Sequence, residues 1–150
     1  MPFILQQQLA AAWLTLNWVI GYGVAPVLFS HLDAEVAGEI MAVLLSTTYW
    51  LDGAILGLMG GMICLSGKWT RREGWLLLAF VAVVLNLAWL SPLMAELKQL
   101  PLADAKLLSM GFSAWHGVSQ LVFLVAWVAI LLWMFFSIRA YQTGLSTLHK

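Results

Sequence analysis

Four long stretches with almost no charge limit what this chain can become. Residues 1–32 contain no Asp, Glu, Lys or Arg, and residues 40–66 contain only Asp52. Residues 74–95 contain none, and residues 107–138 contain none beyond the titratable His116. A helix crosses roughly 30 Å of hydrocarbon with about 20 apolar residues, and each stretch is long enough. A membrane β-barrel would instead alternate apolar and polar residues in segments of about ten. The chain is 63% hydrophobic and 9% charged, far from the roughly 45–50% and 25% of soluble domains. The expected fold is an all-α membrane protein, a single domain over residues 1–150 forming a bundle of four transmembrane helices.

The charged gaps place these helices near residues 9–31, 38–66, 73–95 and 109–138. Asp33 stands where it would cap the second helix. The first stretch lacks a basic leading segment, exceeds a typical signal-peptide core and shows no small-residue cleavage site, so it is expected to remain as a helix. With Cys64 as the one cysteine, an internal disulfide and any CxxC motif are excluded. The formal net charge is zero, with no basic patch for nucleic acid and no acidic tail. The expected partners are the lipid bilayer and either a second copy or another membrane subunit.

Charge also sets an orientation. Lys68, Arg71, Arg72, Arg139 and Lys150 fall on one side of four crossings, and Lys98 and Lys106 on the other. Excess Lys and Arg marks the cytoplasmic side. Both termini are therefore expected in the cytoplasm, with Asp33, Glu35, Glu96 and Asp104 on the outer side of the membrane. Trp13, Trp69, Trp75 and Trp133 would form an aromatic belt at the inner interface. Pro26 and Pro92 lie inside the first and third helices, and each frees a backbone carbonyl. They are either tolerated packing kinks or a means of splaying the outer half of the bundle around a cavity.

Several residues are candidates for chemistry. Gly53, Gly57 and Gly61 share one face of the second helix and would let another backbone approach closely. Asp52, beside them, lies about 21 Å from the outer end of its helix by the helical rise. A charge there costs at least about 2.5–3.5 kcal/mol, and no Lys or Arg lies within any span to pair with it. Asp52 is thus either neutral and hydrogen-bonded or facing water or a cation. Asn17 matches its depth and would be its clasp. Ser109, Ser113, His116 and Gln120 fall on one face of the fourth helix, and lipid cannot satisfy such a stripe. With Asn86 on the third helix and with His31 and Glu39 at the outer mouth, they outline a polar funnel ending near Asp52.

Other chemistries fit less well. Haem would need two histidines facing each other at one depth, whereas His31 and His116 differ by about two turns and His149 is in the tail. Copper would recruit Met41, Met94 and Met110, but the thioethers form no MxxM or HxxM cluster and also suit core packing. No HExxH, Ser-His-Asp arrangement or Gly-rich phosphate loop is present, so no catalysis and no cofactor are expected.

Three segments carry a resemblance: Ala25-Pro26-Val27-Leu28-Phe29, Ala37-Gly38-Glu39-Ile40 and Trp115-His116-Gly117-Val118-Ser119. The pattern resembles the small bacterial four-helix membrane proteins of unknown function related to the eukaryotic transmembrane protein associated with cisplatin resistance. The resemblance implies a four-helix bundle with His116 and the Ala25-Pro26 segment as marked positions. It also implies export or metal handling, as does a similarity to the copper-resistance D membrane domains. Asp52 has no counterpart in that pattern.

Two functions follow. One is transport or handling of a small solute or cation through an outward-facing polar cavity, with Asp52 and His116 as its titratable pair. The other is an accessory or structural subunit docking through the glycine face. A haem or copper redox subunit ranks below both. The orientation is tested by cysteines introduced singly at Gln99 and Thr143. An impermeant maleimide added to intact cells should label Gln99→Cys and spare Thr143→Cys. The opposite pattern inverts the topology.

Overall fold

In a computed structural model, which describes residues 2–67, 69–99 and 110–148, the chain is an up-and-down bundle. Its helices are α1 (Pro2–Trp18), α2 (Ala25–His31), α3 (Ala34–Ser66), α4 (Glu73–Leu85), α5 (Ser91–Gln99) and α6 (Phe112–Leu148). The π-helical segments Val19–Val24 and Asn86–Leu90 join α1 to α2 and α4 to α5. Four continuous helical spans result: Phe3–His31, Ala34–Ser66, Glu73–Gln99 and Phe112–Gly144, each long and apolar enough to cross a membrane. The protein is therefore an integral, all-α membrane protein.

The helices run longer than the apolar stretches alone imply. The first begins at Pro2 rather than near residue 9, because Gln6, Gln7 and Gln8 are good helix formers and Phe3 stacks on Tyr141 at a centroid distance of 4.4 Å. The fourth runs past Ile138 to Leu148; Ser109 lies outside the described residues. Asp33 does precede α3, but its backbone carbonyl accepts from Ala37 N (2.9 Å) while its side chain makes no cap bond. Gly67 ends α3 with φ 65°, a left-handed turn that costs a residue with a Cβ about 1–2 kcal/mol.

Both prolines are absorbed by the backbone just before them. Pro26 and Pro92 cannot donate to the carbonyl one turn back. In each case the ladder loosens to i→i−5: Ala25 N–H bonds Ile20 O, and Ser91 N–H bonds Asn86 O. Such π bulges keep most backbone groups paired, which hydrocarbon demands.

The spans pack in a ring, first to second, second to third, third to fourth, and fourth back to first. The main core joins Ala10 and Trp13 of α1, Leu56, Met59 and Ile63 of α3, Leu76, Ala79 and Val83 of α4, and Ala126, Ala129, Ile130 and Trp133 of α6. Here the belt expected of the tryptophans is corrected: Trp13 and Trp133 are 0% and 2% exposed. Their helix faces point inward, and of the four only Trp69 and, in part, Trp75 keep exposed surface. A smaller cluster of Leu90, Leu97 and Trp115, with Met94 and Met110 against it, fills the opposite end.

Glu73 anchors the end that carries the arginines. Its side chain is buried, with Oε1 accepting from Arg72 Nε at 2.9 Å and from Thr70 Oγ1 at 3.4 Å. Oε2 accepts from the indole Nε1 of Trp133 at 3.1 Å. This carboxylate ties α4 to α6 across 60 residues of sequence. Glu73→Leu should strand the Trp133 donor and the Arg72 charge, costing on the order of 1–3 kcal/mol. Glu73→Gln should cost less, since its amide oxygen still accepts from Trp133. Thermal unfolding in detergent, with Trp133 fluorescence as the probe, distinguishes them.

Candidate functional site

Across the middle of the bundle every span contributes buried polar side chains, and four of them pair across helices. Asn17 on α1, Asp52 on α3, Asn86 at the start of the second π segment and Ser119 on α6 are 8%, 0%, 0% and 3% exposed. Asn17 Nδ2 donates to Asp52 Oδ1 at 2.8 Å and to Trp13 O, four residues back, also at 2.8 Å. Ser119 Oγ donates to Asn86 Oδ1 at 2.6 Å, and Asn86 Nδ2 donates to Ala82 O, again four residues back, at 3.4 Å. Tyr49, one turn from Asp52 on α3, meets the Phe123 ring of α6 at a centroid distance of 6.0 Å and so ties the second span to the fourth.

The two pairs are the same device used twice. Each begins with an asparagine on an odd-numbered span, bonded to its own i−4 carbonyl. A π segment follows Asn17 and another begins at Asn86, and in both spans a proline comes after it. Each pair closes on the next span, at sequence separations of 35 and 33 residues. Each therefore joins the two helices of one hairpin. Tyr49 joins one hairpin to the other.

The sequence placed Asn17, Asp52 and Asn86 in the interior, and there they lie. The remaining funnel residues are elsewhere. Ser113 and Gln120 are exposed and His116 is half-buried. Gln120 Nε2 and His116 Nε2 are 3.0 Å apart, and Phe112 stacks on the His116 ring. The reason is helical phase. The buried seam of α6 runs through Trp115, Ser119, Ala126, Ala129, Ile130, Trp133 and Ser137. That seam is set by small residues that let helices approach, and the polar stripe sits one residue, about 100°, off it. His31 is exposed and bonded within its own turn, its Nδ1 at 2.8 Å from Ser30 Oγ and 3.0 Å from Val27 O. Glu39 is exposed. These residues do not converge on Asp52, which is fully covered.

The glycine row is also placed plainly. A Cβ at Gly53 or Gly61 would meet nothing within 4 Å, and at Gly57 only Phe80 Cε2 at 3.9 Å. The described residues bring no three His, Cys, Asp or Glu side chains together. A groove lined by Trp75, Leu78, Leu124, Val125 and Val128 is apolar. Sequence reading passed over Ser119, Tyr49 and Glu73. Ser119 had a usable signal, because it lies seven residues before Ala126 and fourteen before Trp133, a helical repeat marking the seam. Glu73 had another: it is the acid opening an apolar helix directly after two arginines.

The Asn17–Asp52 bond should be worth about 0.6 kcal/mol and no more than about 1.7, the range for side-chain bonds inside membrane bundles. A double-mutant cycle with Asn17→Ala and Asp52→Ala, read by unfolding in detergent, measures it. A coupling indistinguishable from zero would mean the pair merely coexists.

Comparison with known proteins adds a family and no activity. No curated protein and no solved structure matches the chain. Residues 8–100, which cover the first three spans with Asn17, Asp52 and Asn86, match the domain of unknown function DUF4149. The chain belongs to the DUF4149 family, a family of uncharacterised domains here built as a four-span membrane bundle.

Proposed function

We propose that this protein is a non-catalytic accessory or structural subunit of the bacterial cytoplasmic membrane, with both termini in the cytoplasm, that docks another transmembrane helix on its glycine face. One observation carries the reading: Gly53, Gly57 and Gly61 take almost no part in packing this chain's own helices. Glycine inside a helix costs about 0.8–1 kcal/mol relative to alanine. Three of them at four-residue spacing make sense where a second backbone must come close. Gly57 and Gly61 are exposed, so the row is open to a neighbour in the bilayer. The buried polar belt supports the same reading, since Asn17, Asp52, Asn86 and Ser119 are spent on holding the helices together.

Transport of a small solute or cation is the weaker reading on this geometry. It needs Asp52 and His116 to share a water-lined space, and here they belong to different surroundings. The resemblance to the cisplatin-resistance-associated protein favours export or metal handling, but supplies no ligand set among the residues it marks.

Cys64 offers the test. It is exposed and lies seven residues beyond Gly57, on the same helix face. A thiol-reactive cross-linker applied to membranes should join two copies, or one copy and a partner subunit, through Cys64. Gly57→Leu should abolish the adduct and shift the detergent complex to smaller size. An unchanged adduct pattern and elution volume in Gly57→Leu would overturn the docking face.

A further inference from the structure

The buried side-chain polar atoms without a hydrogen-bond partner, among the described residues, are Gln7 Oε1 and Nε2, Trp13 Nε1, Asp52 Oδ2 and Ser137 Oγ. They are not scattered. Gln7, Ala10, Trp13 and Asn17 follow one another at helical spacing within an arc of about 120° on α1. At one end Asn17 holds Asp52. At the other, Phe3 stacks on Tyr141. The first and fourth spans run antiparallel, so one turn inward from that stack brings Gln7 and Ser137 to one level. Trp133, one turn further along α6, bonds Glu73.

Unpaired polar atoms thus occupy three successive levels along one face of α1, over about 15 Å from Gln7 to Asn17. Buried polar atoms are nearly always partnered, and internal water is the usual partner where protein supplies none. A buried water needs two to four polar neighbours, and Gln7 with Ser137 provides donors and acceptors for one. Ala10, the smallest side chain of the stripe, lies between that level and Trp13.

We propose that internal water forms a file along this face of α1, admitted between Gln7 and Ser137 at the arginine-bearing end and reaching Asp52 past Ala10 and Trp13. The site binds water and the protons it carries. Asp52 therefore exchanges protons with the aqueous phase at that end, and not with the end near His116. Among the described residues, the titratable neighbour of Asp52 is Tyr49 on its own helix. The residues that α1, the second π segment and α6 bring to this belt, Asn17, Asn86 and Ser119, carry no charge. This inference goes beyond the docking role and does not rest on it.

Hydroxyl-radical footprinting by millisecond X-ray exposure, read by mass spectrometry on the purified protein, tests it, because radicals form where water is. Trp13 is fully covered, yet should be oxidised at a rate comparable with the exposed Trp69. Trp115, buried away from the file, should stay unmodified. Ala10→Leu should abolish labelling of Trp13 and leave Trp69 unchanged. Gln7→Leu, which removes the polar mouth with little change of size, should do the same, and decides the matter if Ala10→Leu does not fold. Trp13 unmodified in the native chain would overturn the file. Trp13 modified equally in the variants would overturn its route.

Discussion

Hydrocarbon offers no hydrogen bonds, and the architecture of this protein answers that constraint. Every backbone group within a span must be bonded along its own helix, and every polar side chain must find a partner inside the bundle or stay near its ends. The helices meet the first demand for most groups even at their prolines, where π segments re-pair much of the ladder. The belt of Asn17, Asp52, Asn86 and Ser119 obeys the second. Both asparagines also bond their own i−4 carbonyls, Asn17 just ahead of the segment where the ladder changes pitch and Asn86 at its first residue. Polar side chain and loosened backbone therefore form one unit in each hairpin.

That duplication gives the fold its order. Lipid tails are as apolar as leucine, so no hydrophobic force selects which helices pair. Directional hydrogen bonds and close packing must do so. One bond registers the first span on the second, another registers the third on the fourth, and the ring contact of Tyr49 with Phe123 joins the hairpins. At the arginine-bearing end Glu73 adds a fourth tie through Trp133. Each bond is individually modest, of the order of a kilocalorie per mole. Together they specify an arrangement that apolar contact alone would leave degenerate.

The same accounting separates the two faces of the molecule. On the inner face, polar atoms are matched to one another or aligned along α1, and small residues such as Ala79, Ala126 and Ala129 let the helices approach. On the outer face of α3, glycines stand without a matching partner in the chain. A structural role inside the bundle explains the first set and leaves the second unexplained. The proposed docking role would account for both.

What the residues determined by themselves was the spans, their number and the polar groups that had to be resolved. Charge-free length dictates a crossing helix whatever its neighbours, and a lone acid or asparagine at depth must point inward because lipid penalises the alternative. Asp52, Asn17 and Asn86 were legible for that reason. Rotation about each helix axis was not. The stripe of Ser113, His116 and Gln120 was expected to face inward, whereas Ser119, one residue out of phase with it, does so. Only the packing of α6 through Ala126 and Ala129 against α4 and α1 decided which faced the core. Likewise Trp13 and Trp133 read as interface anchors in sequence and became core in the fold. Depth follows from counting along one helix, whereas facing depends on contacts among four, and only the tertiary structure contains those.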